Sequence, residues 1–452
     1  MEHLEVNIPT YARTALSLLE KAGFEAWCVG GCVRDTLRGS TPHDWDICTS
    51  ALPQETMRVF SGFTRIPTGL KHGTVTVIIE GSQLEITTYR TDGDYSDHRR
   101  PDKVIFVRDI DGDLERRDFT MNAMCLDLRG RLYDPFGGRE DMSRGVIRCV
   151  GDPRKRFDED ALRIFRAVRF AAKTGFAIDE PTARAALDMR GDLKNVSAER
   201  LYSELKTLLV QPFAGKALRE YRDIIAEVIP ELAPCFGFRQ NNPHHCYDVW
   251  EHITYSVDNA PAEELIRLTM LLHDIAKPTV ATVDENGVSH FKKHPTEGAK
   301  LADTILRRLK ADNSTREKVC ALIQYHDDRF PPERKPVRRF LSAHGYEFFA
   351  DWLKVRRADT LAQSEYMRGE KLAALTEIEK LAGELMAESS CLTLAQLEVR
   401  GGDMAALGLK GREIGEMLGK LLALVVDDCI PNEKQALMSA AERIMSECRE
   451  QS

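Results

Sequence analysis

Two aspartates near the start of this chain, Asp44 and Asp46, occupy alternate positions. Alternate residues of a β-strand project from the same face, so a strand that carries both would place their carboxylates side by side. Their mutual repulsion favours a cation between them, and carboxylate oxygens suit a Mg²⁺ ion that also holds triphosphate oxygens. The spacing therefore predicts a magnesium and nucleotide site on that strand.

A glycine pair, Gly30 and Gly31, lies between an apolar strand predicted over residues 26–29 and a helix predicted to begin at Val33. Glycine lets a phosphate approach the backbone closely, and N–H groups before a helix can donate to it. We therefore predict a phosphate-binding turn that faces the two aspartates. Considered alone, a glycine pair is usually an ordinary turn, and an Asp-x-Asp pair is usually a solvated strand edge.

The elements around these residues predict an α+β head with a mixed, mainly antiparallel sheet. A hairpin is expected from strands over 74–79 and 83–89, joined by the turn Glu80-Gly81-Ser82. Glu85 on the second of these strands is a third candidate catalytic carboxylate. An exposed strand glutamate is the alternative interpretation of Glu85.

Residues able to contact phosphates follow the hairpin. Residues 91–103 are polar and densely charged, and we predict a mobile loop whose Arg99, Arg100 and Lys103 reach phosphates. A second group of candidates for sugar and phosphate contacts comprises Arg116, Arg117, Asp118 and Asn122. The alternative for the second group is an N-capped helix with surface ion pairs.

Length and composition indicate an ordinary globular protein of several domains. The 452 residues are too many for one hydrophobic core and predict roughly three or four domains. No apolar run approaches the roughly 20 residues of a membrane span, and the N-terminus lacks a signal-peptide core, so we expect a cytoplasmic protein without a membrane partner. Because the formal net charge is −8, an RNA partner would need a locally basic face.

A charged helix is predicted over residues 157–171, within a region that is helical from about residue 153. Spacings of three and four residues put Glu159 or Asp160, together with Arg163 and Arg166, along one face. An aspartate acceptor beside an arginine donor complements the pairing edges of cytosine and adenine and rejects guanine and uracil. An intrahelical salt bridge is the alternative interpretation.

Six motifs in the first half occur in the order seen in class II tRNA nucleotidyltransferases, and the sequence resembles that family. They are Gly-Gly-x-Val-Arg-Asp (30–35), His-Asp-x-Asp (43–46), Arg-Arg-Asp-Phe-Thr-x-Asn-Ala (116–123), Asp-Pro-Phe-Gly-Gly (134–138), Glu-Asp-x-x-Arg-x-x-Arg (159–166) and Ser-x-x-Arg-x-x-x-Glu-Leu (197–205). The resemblance implies a catalytic head and a helical neck in which Asp160 and Arg163 read the incoming base. It also implies two-metal, template-independent addition of CMP, CMP and AMP, from CTP and ATP, to the 3′ end of tRNA.

Bacterial poly(A) polymerases share most of these motifs. Addition of A alone, as poly(A) or to complete a CC end, is therefore the alternative within the same class of enzyme. Mg²⁺ is the expected cofactor, with Asp44 and Asp46 as its ligands and Glu85 as a further catalytic candidate. The predicted nucleotide-binding residues are Gly30, Gly31, Arg34, Arg117, Asp118, Asn122, Asp160, Arg163, Arg166 and Arg169.

A histidine-rich stretch in the second half resembles the HD phosphohydrolase domain. An adjacent His-Asp pair falls within an apolar helix predicted over 268–275, where packing alone does not explain it. The resemblance implies a second divalent metal site that activates water. Its implied ligands are His252, His273, Asp274 and Asp359, with His294 and His326 extending the site to two metals. A phosphohydrolase whose head only binds RNA is the alternative from another functional class.

The last segment, which includes Gly401-Gly402-Asp403, resembles the C-terminal tRNA-contacting region of the same bacterial enzymes. Ordinary helix-hairpin turns are the alternative interpretation. The expected domains are a nucleotidyltransferase head (1–145), a helical neck for base selection and RNA binding (146–233), an HD domain (234–365) and a C-terminal helical region (366–452).

Overall fold

The computed structural model describes residues 2–4, 6–67, 69–92, 104–388 and 391–450. Contacts divide the chain into two compact units, Met1–Ala233 and Pro234–Ser452. Most of the charged loop, with its three basic residues Arg99, Arg100 and Lys103, lies outside the described residues. In the part of the chain that is described, no helix is long and apolar enough to cross a bilayer.

The first unit begins with the α+β head and ends with short helices. Its strands are β1 Glu2–His3, β2 Ala26–Val29, β3 Asp46–Thr49, β4 Thr64–Ile66, β5 Thr74–Ile79, β6 Ser82–Thr88, β7 Arg90–Asp92, β8 Val104–Phe106, β9 Cys125–Leu126, β10 Arg131–Tyr133, β11 Val146–Ile147 and β12 Ala177–Ile178. Its helices are α1 Thr10–Lys21, α2 Gly31–Leu37, α3 Pro53–Val59, α4 Ile110–Glu115, α5 Gly138–Ser143, α6 Pro153–Glu159, α7 Leu162–Thr174, α8 Glu180–Asp188, α9 Ala198–Leu209, α10 Ala214–Glu220 and α11 Arg222–Val228.

A mixed sheet of eight strands forms the centre of the head, in the order β1-β10-β9-β2-β3-β6-β5-β4. Only the β3–β6 pair within this sheet is parallel, which confirms the expected α+β head with a mainly antiparallel sheet. The apolar face of α1 buries Leu16 and Leu19 in one core with Ile47 of β3 and Ile86 of β6. The β5–β6 hairpin is also confirmed.

Two boundaries near the aspartates differ from those expected. Strand β3 begins at Asp46, so Asp44 lies in the preceding loop and not on the strand. The ladder explains this, because the pairing of β2 with β3 ends at Cys28 and Ile47, and the chain turns away at Gly30. Helix α2 begins at Gly31, two residues before the expected start.

The continuous helix expected over 157–171 is wrong, because the helix is interrupted at Asp160. Helix α6 ends at Glu159, Asp160 is extended (φ −151°, ψ 102°), and α7 begins at Leu162. The Asp160 side chain accepts a hydrogen bond from the backbone N–H of Leu162, the local bond by which aspartate competes with helix propagation. The side chain of Asp160 therefore does not lie on a face of either α6 or α7.

The second unit is mainly helical. Its helices are α12 Val249–Asn259, α13 Glu264–Leu272, α14 Lys277–Val280, α15 His294–Arg308, α16 Asn313–Tyr325, α17 Arg334–Leu361 (interrupted at Gly345), α18 Arg368–Ala387, α19 Gly401–Ala406, α20 Arg412–Val426 and α21 Lys434–Glu450, with the short strands β13 Thr282–Val283 and β14 Ser289–His290. The adjacent His273 and Asp274 follow the end of α13 in a turn, so their expected position inside a helix is wrong. His273 still has helical dihedrals (φ −59°, ψ −37°) as the residue that ends α13, and Asp274 follows it in the turn.

Candidate active site and a second metal-binding cluster

Three carboxylates gather at the start of β3. The parallel register sets Asp46 opposite Glu85 of β6, and Asp44 precedes the strand by two residues. All three side chains are partly open to solvent, although neighbouring atoms crowd around the carboxyl group of Asp46. Burial of the carboxyl group, and then the charges of Glu85 and Asp44, raise the pKa of Asp46 to about 6, while Arg117 acts in the opposite direction. Crowded carboxylates favour a divalent cation, and their hard oxygen atoms fit Mg²⁺.

The affinity of the head for Mg²⁺ is expected to fall as the pH drops through about 6. An ordinary aspartate takes up its proton near pH 3.9, so the raised pKa moves the loss of the Asp46 charge up to about pH 6. Calorimetric titrations with Mg²⁺ at about pH 7.5 and about pH 5 would measure this, with Asp46→Asn as the reference for all other sites. Equal affinities at the two pH values would contradict the prediction.

The glycine turn lies close to an arginine. Gly30 has a φ of 78°, which disfavours any other residue, and a Cβ atom there would lie 3.2 Å from Nη1 of Arg117. Arg117 is held by the buried carboxylate of Asp113, to which its Nη2 donates at 3.0 Å, and Asp113 also accepts from Arg116 at 2.8 Å. Asp113 was not among the residues expected from sequence, because it becomes informative only through these two partners.

Four of the expected nucleotide-binding residues form one hydrogen-bonded chain. Nη1 of Arg34 donates to Oδ1 of Asn122 at 2.7 Å, and Nδ2 of Asn122 donates to Oδ1 of Asp118 at 2.9 Å. Arg166 closes the chain, with Nε and Nη2 donating to Oδ2 of Asp118 at 2.9 and 2.7 Å. Burial alone would raise the pKa of the Asp118 carboxyl, but the Arg166 guanidinium and the Asn122 amide hold it well below its usual range.

Glu204 of α9 extends this chain to Arg169. It accepts from both Arg166 and Arg169, and the guanidinium of Arg169 lies 4.1 Å from the ring centroid of Phe170. The same ring lies 5.2 Å from the guanidinium of Arg34. Phe170 was not expected from sequence, since an aromatic residue on the apolar face of a helix normally signals packing alone.

Asp160 and Arg163, the expected base-reading pair, are neighbours held by different partners. Both oxygens of Asp160 accept from Arg200 of α9, at 3.2 and 2.7 Å. Arg163 donates to Oε2 of Glu159 at 2.6 Å and to the carbonyl oxygens of Arg156 and Arg116 at 3.0 and 2.8 Å. The role of Arg200 was missed, although Arg200 and Glu204 both lie in the sixth motif.

In the second unit, four histidines surround Asp274. The Nε2 atoms of His252 and His273 lie 3.3 and 3.2 Å from Oδ2 of Asp274, and those of His294 and His326 lie 3.4 and 3.7 Å from Oδ1. The Nδ1 atom of each ring lies between 2.6 and 3.3 Å from a backbone carbonyl oxygen, which orients Nε2 toward the carboxylate. One aspartate thus stands between two pairs of imidazoles.

This arrangement fits divalent metal ions. Among the described residues, two groups bring their ligand atoms within 4.8 Å of one another, and Asp274 belongs to both. Neither of its oxygens makes a hydrogen bond of regular geometry, although Nζ of Lys277 lies 2.7 Å from Oδ2. Asp359 completes the expected set, with Oδ1 3.0 Å from Nε2 of His252. Imidazole nitrogens with buried carboxylates suit a transition-metal ion or magnesium.

Three family profiles match consecutive parts of the sequence. The poly A polymerase head domain matches residues 26–148, and the probable RNA and SrmB-binding site of polymerase A matches residues 175–236. The HD domain matches residues 244–374, which include the four histidines and both aspartates of the buried cluster.

Several curated relatives of this chain share one name. The CCA-adding enzyme of Ligilactobacillus salivarius is 39% identical over 289 residues, which are 61% of this chain and 71% of the relative. The chain belongs to the CCA-adding enzyme family. Another CCA-adding enzyme, from Geobacillus kaustophilus, is 52% identical over 200 residues, 44% of this chain and 49% of that relative. The chain thus spans about half the length of several curated CCA-adding enzymes that it matches.

A solved CCA-adding enzyme resembles this chain over nearly its whole length. The crystal structure of the Bacillus stearothermophilus CCA-adding enzyme in complex with CTP aligns with a TM-score of 0.75 and 30% identity, and 98% of each chain is covered. The likeness supports a common architecture for the CCA-adding enzymes and this chain.

Proposed function

We propose that this member of the CCA-adding enzyme family adds CMP and AMP, from CTP and ATP, to the 3′ end of tRNA without a nucleic-acid template. The observation that carries the proposal is the cluster of Asp44, Asp46 and Glu85, with its raised Asp46 pKa, in the head of such a chain. The relative from Bacillus, crystallised with CTP, supports a nucleotide as the ligand of this head. Because tRNA would be the substrate, we propose that the reaction takes place in the cytoplasm.

The proposed reaction is in-line displacement at phosphorus. The 3′-hydroxyl oxygen of tRNA attacks the α-phosphorus of the nucleotide and forms a phosphodiester bond, while the bond to the β-phosphate oxygen breaks. Pyrophosphate leaves with that electron pair, and the hydroxyl proton passes to solvent. Asp44 and Asp46 would hold Mg²⁺, with Glu85 beside them, and magnesium there would lower the pKa of the hydroxyl group and stabilise developing charge.

The remaining residues would orient the nucleotide. Arg117, held by Asp113 near the glycine turn, is placed to contact the triphosphate, and Asp160 offers an acceptor for the amino group of cytosine or adenine. The Arg34 to Arg166 chain would keep this arrangement fixed between binding and chemistry. Domain roles follow from the same proposal, with the catalytic head in 1–145, base selection in 146–233, the HD domain in 234–365 and tRNA contacts in 366–452.

The decisive experiment supplies each labelled nucleotide separately with three tRNA transcripts, which end before CCA, after the first C and after CC. We expect CMP on the first two transcripts and AMP on the third. Transfer of AMP without any transfer of CMP would reject CCA addition in favour of the poly(A) or A-only alternative. An absence of transfer with every nucleotide would reject both.

We propose hydrolysis of a phosphate ester in the HD domain as a second function. The buried cluster around Asp274 supports it, together with an adjoining cavity of about 260 Å³ that Lys277, Lys292 and Arg329 line with positive charge. Divalent metals held by the imidazoles would activate a water molecule for attack on phosphorus. Release of nitrophenol from a p-nitrophenyl phosphate mono- or diester, with Mn²⁺, Ni²⁺ or Mg²⁺, tests this function. Equal turnover by wild type and His273→Ala would reject it.

A further inference from the structure

The guanidinium of Arg200 forms a bidentate ion pair with the carboxylate of Asp160. Nη1 donates to Oδ1 at 3.2 Å and Nη2 donates to Oδ2 at 2.7 Å. The backbone N–H of Leu162, at the start of α7, donates to Oδ1 at 3.2 Å. Two donors from α9 and one from α7 therefore fix the plane of this carboxylate.

The hydrogen-bonding capacity of Asp160 is almost filled by these donors. An ionised carboxylate has about four lone-pair positions, two on each oxygen. In the described part of the chain, two donors reach Oδ1 and one reaches Oδ2, so one position on Oδ2 remains. That position can accept a single amino hydrogen, as cytosine and adenine present. Guanine and uracil would place a carbonyl oxygen there, facing another oxygen.

The geometry points to Arg200 as the positioning residue that sets the orientation of Asp160 and thereby the preference for C and A. This inference rests on the proposed function, in which Asp160 contacts the base. Asp160 needs a further partner because it lies in the break between α6 and α7, where the one local bond, from the N–H of Leu162, reaches Oδ1 and leaves Oδ2 unheld. Only arginine can engage both oxygens at once, since a lysine presents a single point charge.

The ion pair between Arg200 and Asp160 is better suited to selecting a base than to stabilising the fold. The side chains of Arg200 and Asp160 are 28% and 18% exposed, and ion pairs that reach solvent contribute little to stability. By contrast, Glu204, one turn further along α9, and its partner Arg169 of α7 are only 15% and 12% exposed. Replacement of Arg200 should therefore leave a folded enzyme in which the carboxylate of Asp160 is no longer held in one orientation.

The test compares Arg200→Ala and Arg200→Lys with wild type. Calorimetry measures the affinities for CTP, ATP, UTP and GTP, and single-turnover assays measure kcat/KM for each nucleotide on tRNA lacking CCA. We expect the preference for CTP over UTP to fall by about 10- to 100-fold in Arg200→Ala, because a misplacement of about 1 Å costs about that much. Arg200→Lys should recover at most part of the preference, because it restores the charge without the fork.

A matched control is Arg154→Ala, which removes an arginine of α6 that pairs with Asp188 on the surface. This variant should keep the wild-type preference. An unchanged CTP to UTP ratio in Arg200→Ala, or an equal loss for all four nucleotides, would overturn the role of Arg200. Full recovery in Arg200→Lys would do the same. A wild-type protein that binds all four nucleotides equally would instead reject the proposed function together with base reading by Asp160.

Discussion

An Asp46→Asn variant is expected to lose at least about 10³-fold in the rate of CMP and AMP addition. Asparagine keeps the shape of the side chain but removes a negative charge from the cation site, and metal-assisted catalysis contributes several kcal/mol, which corresponds to a factor of about 10³. Single-turnover incorporation of labelled CMP into tRNA lacking CCA measures the effect. A rate within tenfold of wild type would remove Asp46 from the catalytic set.

The same variant is not expected to be less stable than wild type. A carboxyl group whose pKa is raised to about 6 is destabilised in its charged form, so neutral asparagine relieves repulsion from Glu85 and Asp44. The midpoint of thermal unfolding should therefore be equal or slightly higher. This combination separates a catalytic defect from a folding defect.

His273→Ala is the matched control from the other unit. It removes an imidazole from the buried cluster and should leave nucleotide addition unchanged. If the principal activity survives in Asp46→Asn and disappears in His273→Ala, the chain is mainly a phosphohydrolase with an RNA-binding head. That reversed pattern would contradict the proposed function.

An Asp274→Asn variant is expected to lose both metal ions of the HD cluster together. Its two oxygens face different imidazole pairs, Oδ2 toward His252 and His273 and Oδ1 toward His294 and His326. Asparagine removes the charge that both sites share, and we expect affinity to fall by at least about 100-fold at each, more than loss of an outer partner costs. Mass spectrometry of the bound metal after loading with Mn²⁺ and dialysis gives the stoichiometry.

His326→Ala provides the contrast to Asp274→Asn. It removes a ligand of one group only, so about one ion per chain should remain where we expect the wild type to hold about two. Retention of one ion by Asp274→Asn would show that the carboxylate is not shared. Loss of both ions in His326→Ala would show that the two groups are a single site.

The head was predictable because its signals are local. Strand alternation and the turn Glu80-Gly81-Ser82 were enough to predict the β5–β6 hairpin, which carries the candidate Glu85, while its register opposite Asp46 came from the structure. The pairing of β2 with β3 cannot be deduced from such local patterns. Asp44 was therefore expected on the strand, whereas β3 begins at Asp46. Patterns of nearby residues predicted the head. The error at Asp44 arose because pairing with another strand, β2, determines where β3 begins.

The base-reading region was less predictable, because tertiary partners override helical periodicity there. A spacing of three residues suggested one helix through Asp160 and Arg163, but Arg200, 40 positions later, holds Asp160 outside the helix. Asp113 likewise has no distinctive sequence context. Its role is recognisable only from the ion pairs that it forms with Arg116 and Arg117 in the folded chain. In the HD cluster the ligand types were predictable, while the turn at His273 was not.

The hydrogen-bonded ion pair between Asp118 and Arg166 limits which segments can be exchanged between related proteins. It joins a residue of the expected head to one of the expected neck, 48 positions apart, and both charges are largely shielded from water. A chimera that joined this head to a neck without the matching arginine would leave the buried Asp118 carboxylate without its cationic partner, at a cost of about 3–5 kcal/mol. Recombination between relatives should therefore fail at junctions near residue 145 unless the new neck supplies an arginine at the position of Arg166.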